Sequence, residues 1–285
     1  MHRPIILAFF LGLAVTSAAG ANYPSNGQIS FWSDRADGRA QVFVMNADGT
    51  DQHRLTNLFS AKRGDFSPDG RKLVFDGRGY ETMFDFDIVV MNRDGTEVKR
   101  LTRGPERDTQ AAWSPDGRRV SFVREESSSS PPSIWIVGAD AGNAHRITGG
   151  GSAAWSPDGQ RLAVGGFGLR IMRPDGTRTK TITAGETEVA AWSRDGRRIL
   201  FTGYRDGNAD VYVVRADGTH LRRMTRQRGN DYAADFSPDG RKISFSSDRG
   251  GFLQVYVMNV DGSRAKNISR SRSSDWATSW QRVSR

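Results

Sequence analysis

The string Ser-Pro-Asp-Gly occurs at Ser67–Gly70, Ser114–Gly117, Ser156–Gly159 and Ser237–Gly240, and Ser193-Arg194-Asp195-Gly196 is a variant copy. An aromatic residue precedes each copy: Phe66, Trp113, Trp155, Trp192 or Phe236. A short apolar strand follows each (LVF, VSF, LAV, ILF, ISF). Next comes a second alternating strand, such as those ending at Asn92 and Asn259. An Asp-Gly turn follows, then a basic strand closing on Leu-Thr or a variant, as in Arg100-Leu101-Thr102. The turn glycines recur at intervals of 47, 42, 37 and 44 residues. Units near 40 residues with four short strands each cannot bury both faces alone, and stacking them around an axis gives a β-propeller. A sandwich also spaces its strands evenly, but without a repeating motif of this length.

Each repeated residue has a local task. Pro68 and its equivalents set φ for the first corner of a turn, Asp tolerates the next position, and Gly takes the left-handed one. This makes a tight hairpin between first and second strands. Asp48-Gly49, Asp94-Gly95, Asp175-Gly176, Asp217-Gly218 and Asp261-Gly262 turn the third strand into the fourth, and Asp140-Ala141-Gly142 does so with an extra residue. Asn26–Phe31 reads as a second strand lacking its first, and Asp275–Trp280 as a first strand with nothing after it. The fragments complete one unit. The expected fold is all-β: a six-bladed β-propeller of four-stranded antiparallel blades, its ring closed by pairing the C-terminal strand with N-terminal strands. Gly64, Ala111, Ala153, Ala190, Ala234 and Thr278 stand two before the aromatic positions. Such small residues suit close packing of innermost strands.

Trp113–Arg119 (WSPDGRR), Val257–Gly262 (VMNVDG) and Arg54–Thr56 (RLT) resemble the WD-like repeats of the TolB β-propeller family. The resemblance covers nearly all of residues 24–285. It implies a periplasmic protein of the Gram-negative envelope that binds protein partners, as the Tol–Pal component does. That component carries an N-terminal α/β domain before its propeller, whereas here the first propeller strand starts soon after the N-terminal segment. Similar propellers front prolyl oligopeptidase-type peptidases, which append an α/β-hydrolase domain.

The N-terminal segment reads as an export signal: Arg3, the apolar run Ile5–Val15, then Ala19-Gly20-Ala21 before Asn22. Eleven helical residues rise about 16 Å, too little to cross a bilayer. The expected division is a signal peptide over 1–21 and a propeller over 22–285, placed in the periplasm or secreted, monomeric and with no transmembrane segment in the mature chain. The absence of cysteine removes disulfides, thiol nucleophiles and cysteine zinc sites.

Chemistry leaves fewer marks. G-x-S-x-G, H-E-x-x-H, P-loop and dinucleotide fingerprints are all missing. His53, His145 and His220 each follow a turn of a different unit, which argues against a shared metal. Asp108, Asp231 and Asp275 stand at matching positions five before the aromatic, with Glu188 nearby. They either cap their own turns or, as a ring at the tunnel mouth, hold calcium or a polar ligand. No cofactor is required; calcium is the one that fits. Tyr80, Phe84, Phe86, Tyr204, Tyr232 and Trp276 approach the same face and form a candidate partner-binding surface. The net charge of +9 spreads around the ring, much of it on exposed fourth strands where charge blocks edge pairing. Neither that spread nor export suits nucleic acid. The sequence therefore points to an exported, non-catalytic protein-binding module. The alternative is a carbohydrate-active enzyme, or a glycan or small-ligand binder, using the tunnel mouth.

Overall fold

The computed structural model describes residues 26–79, 86–205 and 207–281, apart from the side chains of Ala190 and Thr278. The expected signal segment and two of the aromatic positions, Tyr80 and Phe84, lie outside the described residues. No helix forms among those described; the chain is strands and turns.

The repeated turns close through their own side chains. The Ser67 hydroxyl donates to Asp69 at 2.6 Å, and that carboxylate accepts the Arg71 N–H at 3.1 Å. Ser67 Oγ in turn accepts the Lys72 N–H at 2.8 Å, and Gly70 sits at φ +68°. Ser193 and Asp195 repeat the set with Arg194 in place of proline, so the side-chain bonds and the glycine suffice. Each Ser hydroxyl holds the carboxyl of Asp69, Asp116 or Asp195 below the ordinary value.

The strands join in antiparallel sheets. β1 (Gln28–Ser33), β2 (Gln41–Asn46) and β3 (His53–Arg54) follow β22 (Asp275–Trp280) in the order β22-β1-β2-β3. The next sheet is β4 (Ser60–Phe66), β5 (Lys72–Arg78), β6 (Asp87–Asn92) and β7 (Lys99–Arg100). The third is β8 (Arg107–Trp113), β9 (Arg119–Glu125), β10 (Ser133–Gly138) and β11 (His145–Gly149). A six-stranded sheet comprises β12 (Ser152–Trp155), β13 (Leu162–Met172), β14 (Lys180–Trp192), β15 (Arg198–Arg205), β16 (Asn208–Arg215) and β17 (Arg222–Arg223). The last is β18 (Asp231–Phe236), β19 (Lys242–Ser247), β20 (Gln254–Asn259) and β21 (Lys266–Asn267).

Four sheets thus show the expected four strands, and one has six. The difference lies in β13 and β14, each continuous where the repeat expects two strands; β13 pairs first with β12 and then with β14. The first half of β14 pairs with β13, as in Ile171↔Lys180, and its second half with β15, as in Val189↔Phe201. Thr187 pairs with Gly166 of β13 and with Gly203 of β15, so the strand passes from one partner to the other without a loop.

β22 pairs with β1 from Ile29↔Trp280 to Ser33↔Asp275, joining the two ends of the described chain. The innermost strands β22, β4, β8, β12, β14 and β18 touch in a closed circle. Crowding there is real: a Cβ on Gly64 would lie 3.0 Å from Val42. Apolar clusters fill the spaces between neighbouring sheets, as where Ala111 and Trp113 of β8 meet Val74, Ile88 and Val90. The Thr of the Leu-Thr signature ties each outer strand inward. Thr102 Oγ1 accepts the Ile88 N–H at 2.9 Å, and Thr56 and Thr225 repeat the bond to Val42 and Val211.

Candidate functional site: an aromatic arc at one face

In an up-and-down unit the turns after first and third strands share one face. The connections after second and fourth strands share the other. First strands therefore begin on the connection face, which is where the sequence places both its acidic and its aromatic candidates.

The acidic positions are closed by arginines. Asp108, Asp231 and Asp275 are 1%, 1% and 0% exposed. Arg124 grips Asp108 with two bonds of 2.8 and 2.7 Å. Arg249 reaches Asp231 at 2.9 and 3.1 Å, and Arg35 reaches Asp275 at 2.5 Å. Each guanidinium also lies over an aromatic pair of its own sheet. Arg35 covers Phe31 and Phe43, Arg124 covers Phe122 and Trp135, and Arg249 covers Phe245 and Tyr256, at 4.6–5.4 Å. Inner-strand carboxylate, guanidinium and ring pair form a clamp across the first three strands of a unit. The sequence signal for it is the Ser-Asp-Arg string at Ser33–Arg35 and Ser247–Arg249. In both, the Ser hydroxyl accepts from its Arg side chain, at 3.2 and 2.8 Å. Among the described residues no three His, Asp or Glu side chains converge as a metal-ligating group, so the calcium expectation gains nothing from the geometry. The three histidines are exposed.

The aromatic positions do converge, around two residues that sequence reasoning missed. Trp32, next to the last residue of β1, is the cross-strand partner of Trp276 on β22. The indoles stack at 5.3 Å with planes 8° apart. Tyr232 covers Trp276 at 5.5 Å. Lys62 of β4 places its ammonium 5.0 Å from the centre of the Trp32 ring and 5.6 Å from that of Phe86. Arg107 of β8 approaches Phe86 from the next sheet, also at 5.6 Å. At the other end the Tyr204 hydroxyl donates to Glu188 at 3.4 Å. Burial, and then Glu188, push the Tyr204 phenol up; burial, and then Asp248 and Glu188, do the same to Tyr232. The row Glu188, Tyr204, Tyr232, Trp276, Trp32, Lys62, Phe86, Arg107 spans all five sheets. Its aromatic members are half-buried except Tyr204, which is 40% exposed. The carboxylate stands at one end and the cations at the other. Trp32 escaped notice because it follows Phe31 in a strand that reads as core; its distance in sequence from Trp276 hides the pair.

A ring of packed antiparallel sheets with inward small residues and interlocking aromatics defines a β-propeller. Residues 62–188 and 176–283 match the family model of the TolB beta propeller domain, and the chain belongs to that family. The solved TolB from Acinetobacter baumannii superimposes with a TM-score of 0.76 at 19% identity, over 90% of this chain and 67% of that one. An oligogalacturonate lyase in complex with manganese shares the fold more loosely, with a TM-score of 0.59 at 15% identity over 87% and 75% of the chains. An uncharacterized protein of Agrobacterium fabrum is 28% identical over 132 residues, which span 46% of this chain and 41% of that relative.

Proposed function

We propose that this chain is an exported six-bladed propeller that acts in the periplasm by docking a protein partner across its connection face, without chemistry of its own. The count of six takes the six-stranded sheet as two blades run together through the continuous strands β13 and β14, in keeping with the circle of six innermost strands. One observation carries the docking reading: the arc from Glu188 to Arg107 is continuous, half-buried along its middle and charged oppositely at its ends. Such surfaces present rigid aromatic area at low entropic cost, with polar groups that fix orientation. Phe167, 102% exposed within β13 opposite Glu186, and Phe252, 56% exposed on the β19–β20 connection, extend the same face. Three of the carboxylates offered for acid–base work in an enzyme reading, Asp108, Asp231 and Asp275, are buried and each already hydrogen-bonded to an arginine, which leaves them poorly placed to meet a substrate.

Tagged mature protein incubated with envelope extract tests this. It should retain a partner that both Trp276→Ala and the milder Tyr204→Ser lose, while His220→Ala on the opposite face keeps it. Equal retention by all three variants would contradict the reading.

A further inference from the structure

The arc carries an unanswered charge at its basic end. Lys62 is half-buried, and among the described residues no ion pair or hydrogen bond holds its ammonium. Burial first, then the like charges of Arg63 and Arg107, push its pKa down. The carboxylate across the strand pair from it, Asp76, is 1% exposed and already committed. It accepts the Ala111 N–H of the neighbouring sheet at 3.4 Å and lies 3.9 Å from Arg63. Arg107 pairs with the more exposed Glu125 at 2.8 Å. Three cations thus stand around one carboxylate, whose contacts go to Arg63 and to the neighbouring sheet. Half-burying an ammonium that makes no direct ion pair is unfavourable, and a carboxylate arriving at Lys62 would offset that cost.

We propose that Lys62, flanked by Arg63 and Arg107, receives an acidic side chain of the docked partner, set beside an apolar or aromatic residue that meets Trp32 and Phe86. This rests on the docking reading above and adds the partner's chemistry. The ring geometry favours a protein segment over an acidic polysaccharide. A sugar ring binds by stacking on an open aromatic face. Trp276 is covered by Trp32 and Tyr232, and Trp32 by Trp276 and the Lys62 ammonium, which leaves edges for contact. Edges suit side chains.

The test uses 3-phenylpropionate as a minimal acidic and apolar probe, with 3-phenylpropionamide and galacturonate as comparisons. Binding is read from the indole N–H resonances of Trp32 and Trp276. The propionate should shift both saturably, the amide should not, and Lys62→Met should weaken the response about tenfold or more. Lys62→Met removes a half-buried unpaired cation, so its melting temperature should equal or exceed that of the parent, which separates lost binding from lost folding. Equal shifts with acid and amide, or an undiminished response in Lys62→Met, would overturn the proposal. Galacturonate binding more tightly than the propionate would overturn the assignment to a protein segment. In the envelope capture experiment, a partner lost with Trp276→Ala but kept by Lys62→Met would sink the acidic-residue proposal alone. A partner kept by both would sink the docking reading itself.

Discussion

Asp76 is a residue whose position sets it against its neighbours. At the same register, after the second-strand phenylalanine, stand Trp32 and Ser246, both neutral. Ser246 Oγ accepts the Ala277 N–H at 2.7 Å, the same stitch between sheets that Asp76 makes to Ala111. Burial raises the Asp76 carboxyl to about 6, against the lowering effect of Arg63, the backbone N–H groups of Gln110 and Ala111, and Arg107. The folded protein therefore holds this proton more tightly than the unfolded chain does. Its contribution to stability is full below the unfolded value of 3.8 and is lost as pH rises through about 6. Asp76→Asn keeps an acceptor for the Ala111 N–H. It should be more stable than the parent at about pH 8, by up to roughly 3 kcal/mol, with the gap closing near pH 4. Denaturant melts at both pH values check this, and a gap independent of pH would contradict it. Asp69, Asp116 and Asp195 work in the opposite sense: their lowered values add stability above the unfolded carboxylate value, and it disappears as pH falls. The Thr of the Leu-Thr signature offers a second residue test. Thr102→Val keeps the shape but leaves the buried Ile88 N–H without its acceptor, at a cost of about 1–3 kcal/mol. A change below about 0.5 kcal/mol would remove the signature's structural rationale. The sequence announced Asp108, Asp231 and Asp275 as a set, but their arginines lie on or just after the neighbouring strand, and for Asp275 at the other end of the chain. Spacing alone therefore could not separate a clamp from an open carboxylate.

Among elements, β22 carries the largest consequence for its size. Ending the chain after Ser274 would strip β1 of its inner partner, remove Trp280, which is 4% exposed, and delete Trp276 from the arc. Losing a buried Trp side chain costs about 3–5 kcal/mol. Lost pairing adds to that, against a total stability of roughly 5–15 kcal/mol. The truncated protein should be insoluble or melt at least about 10 °C lower, and Trp280→Ala should show a milder form of the defect. Melting within about 2 °C of the parent would mean that the β1–β22 pairing contributes little. This joining of the two ends was legible in the sequence because Asn26–Phe31 and Asp275–Trp280 are complementary fragments of one repeat. The continuity of β14 was not. The repeats place a fourth strand and a first strand there, and nothing in Ala184-Gly185-Glu186 says that the connection stays extended instead of looping.

At the scale of the whole molecule, the two faces differ in what they expose. The turn face is a ring of Asp-Gly and Ser-Pro-Asp-Gly corners, each satisfied by its own side chains, with Val98 and Leu221 as its exposed apolar residues. The connection face gathers the aromatic arc together with Phe167, Tyr204 and Phe252. The turns repeat because the fold needs them, so they were readable from sequence. The arc is assembled from residues that differ in every repeat, so only the closed ring brings Trp32, Lys62 and Trp276 together. In-cell photo-crosslinking separates the two faces most directly. A benzophenone side chain at Phe167 or Phe252 should trap a discrete protein partner in the envelope, and the same group at Val98 or Leu221 should trap none. Partner adducts at Val98 or Leu221, with none at Phe167 or Phe252, would place docking on the opposite face and contradict the account.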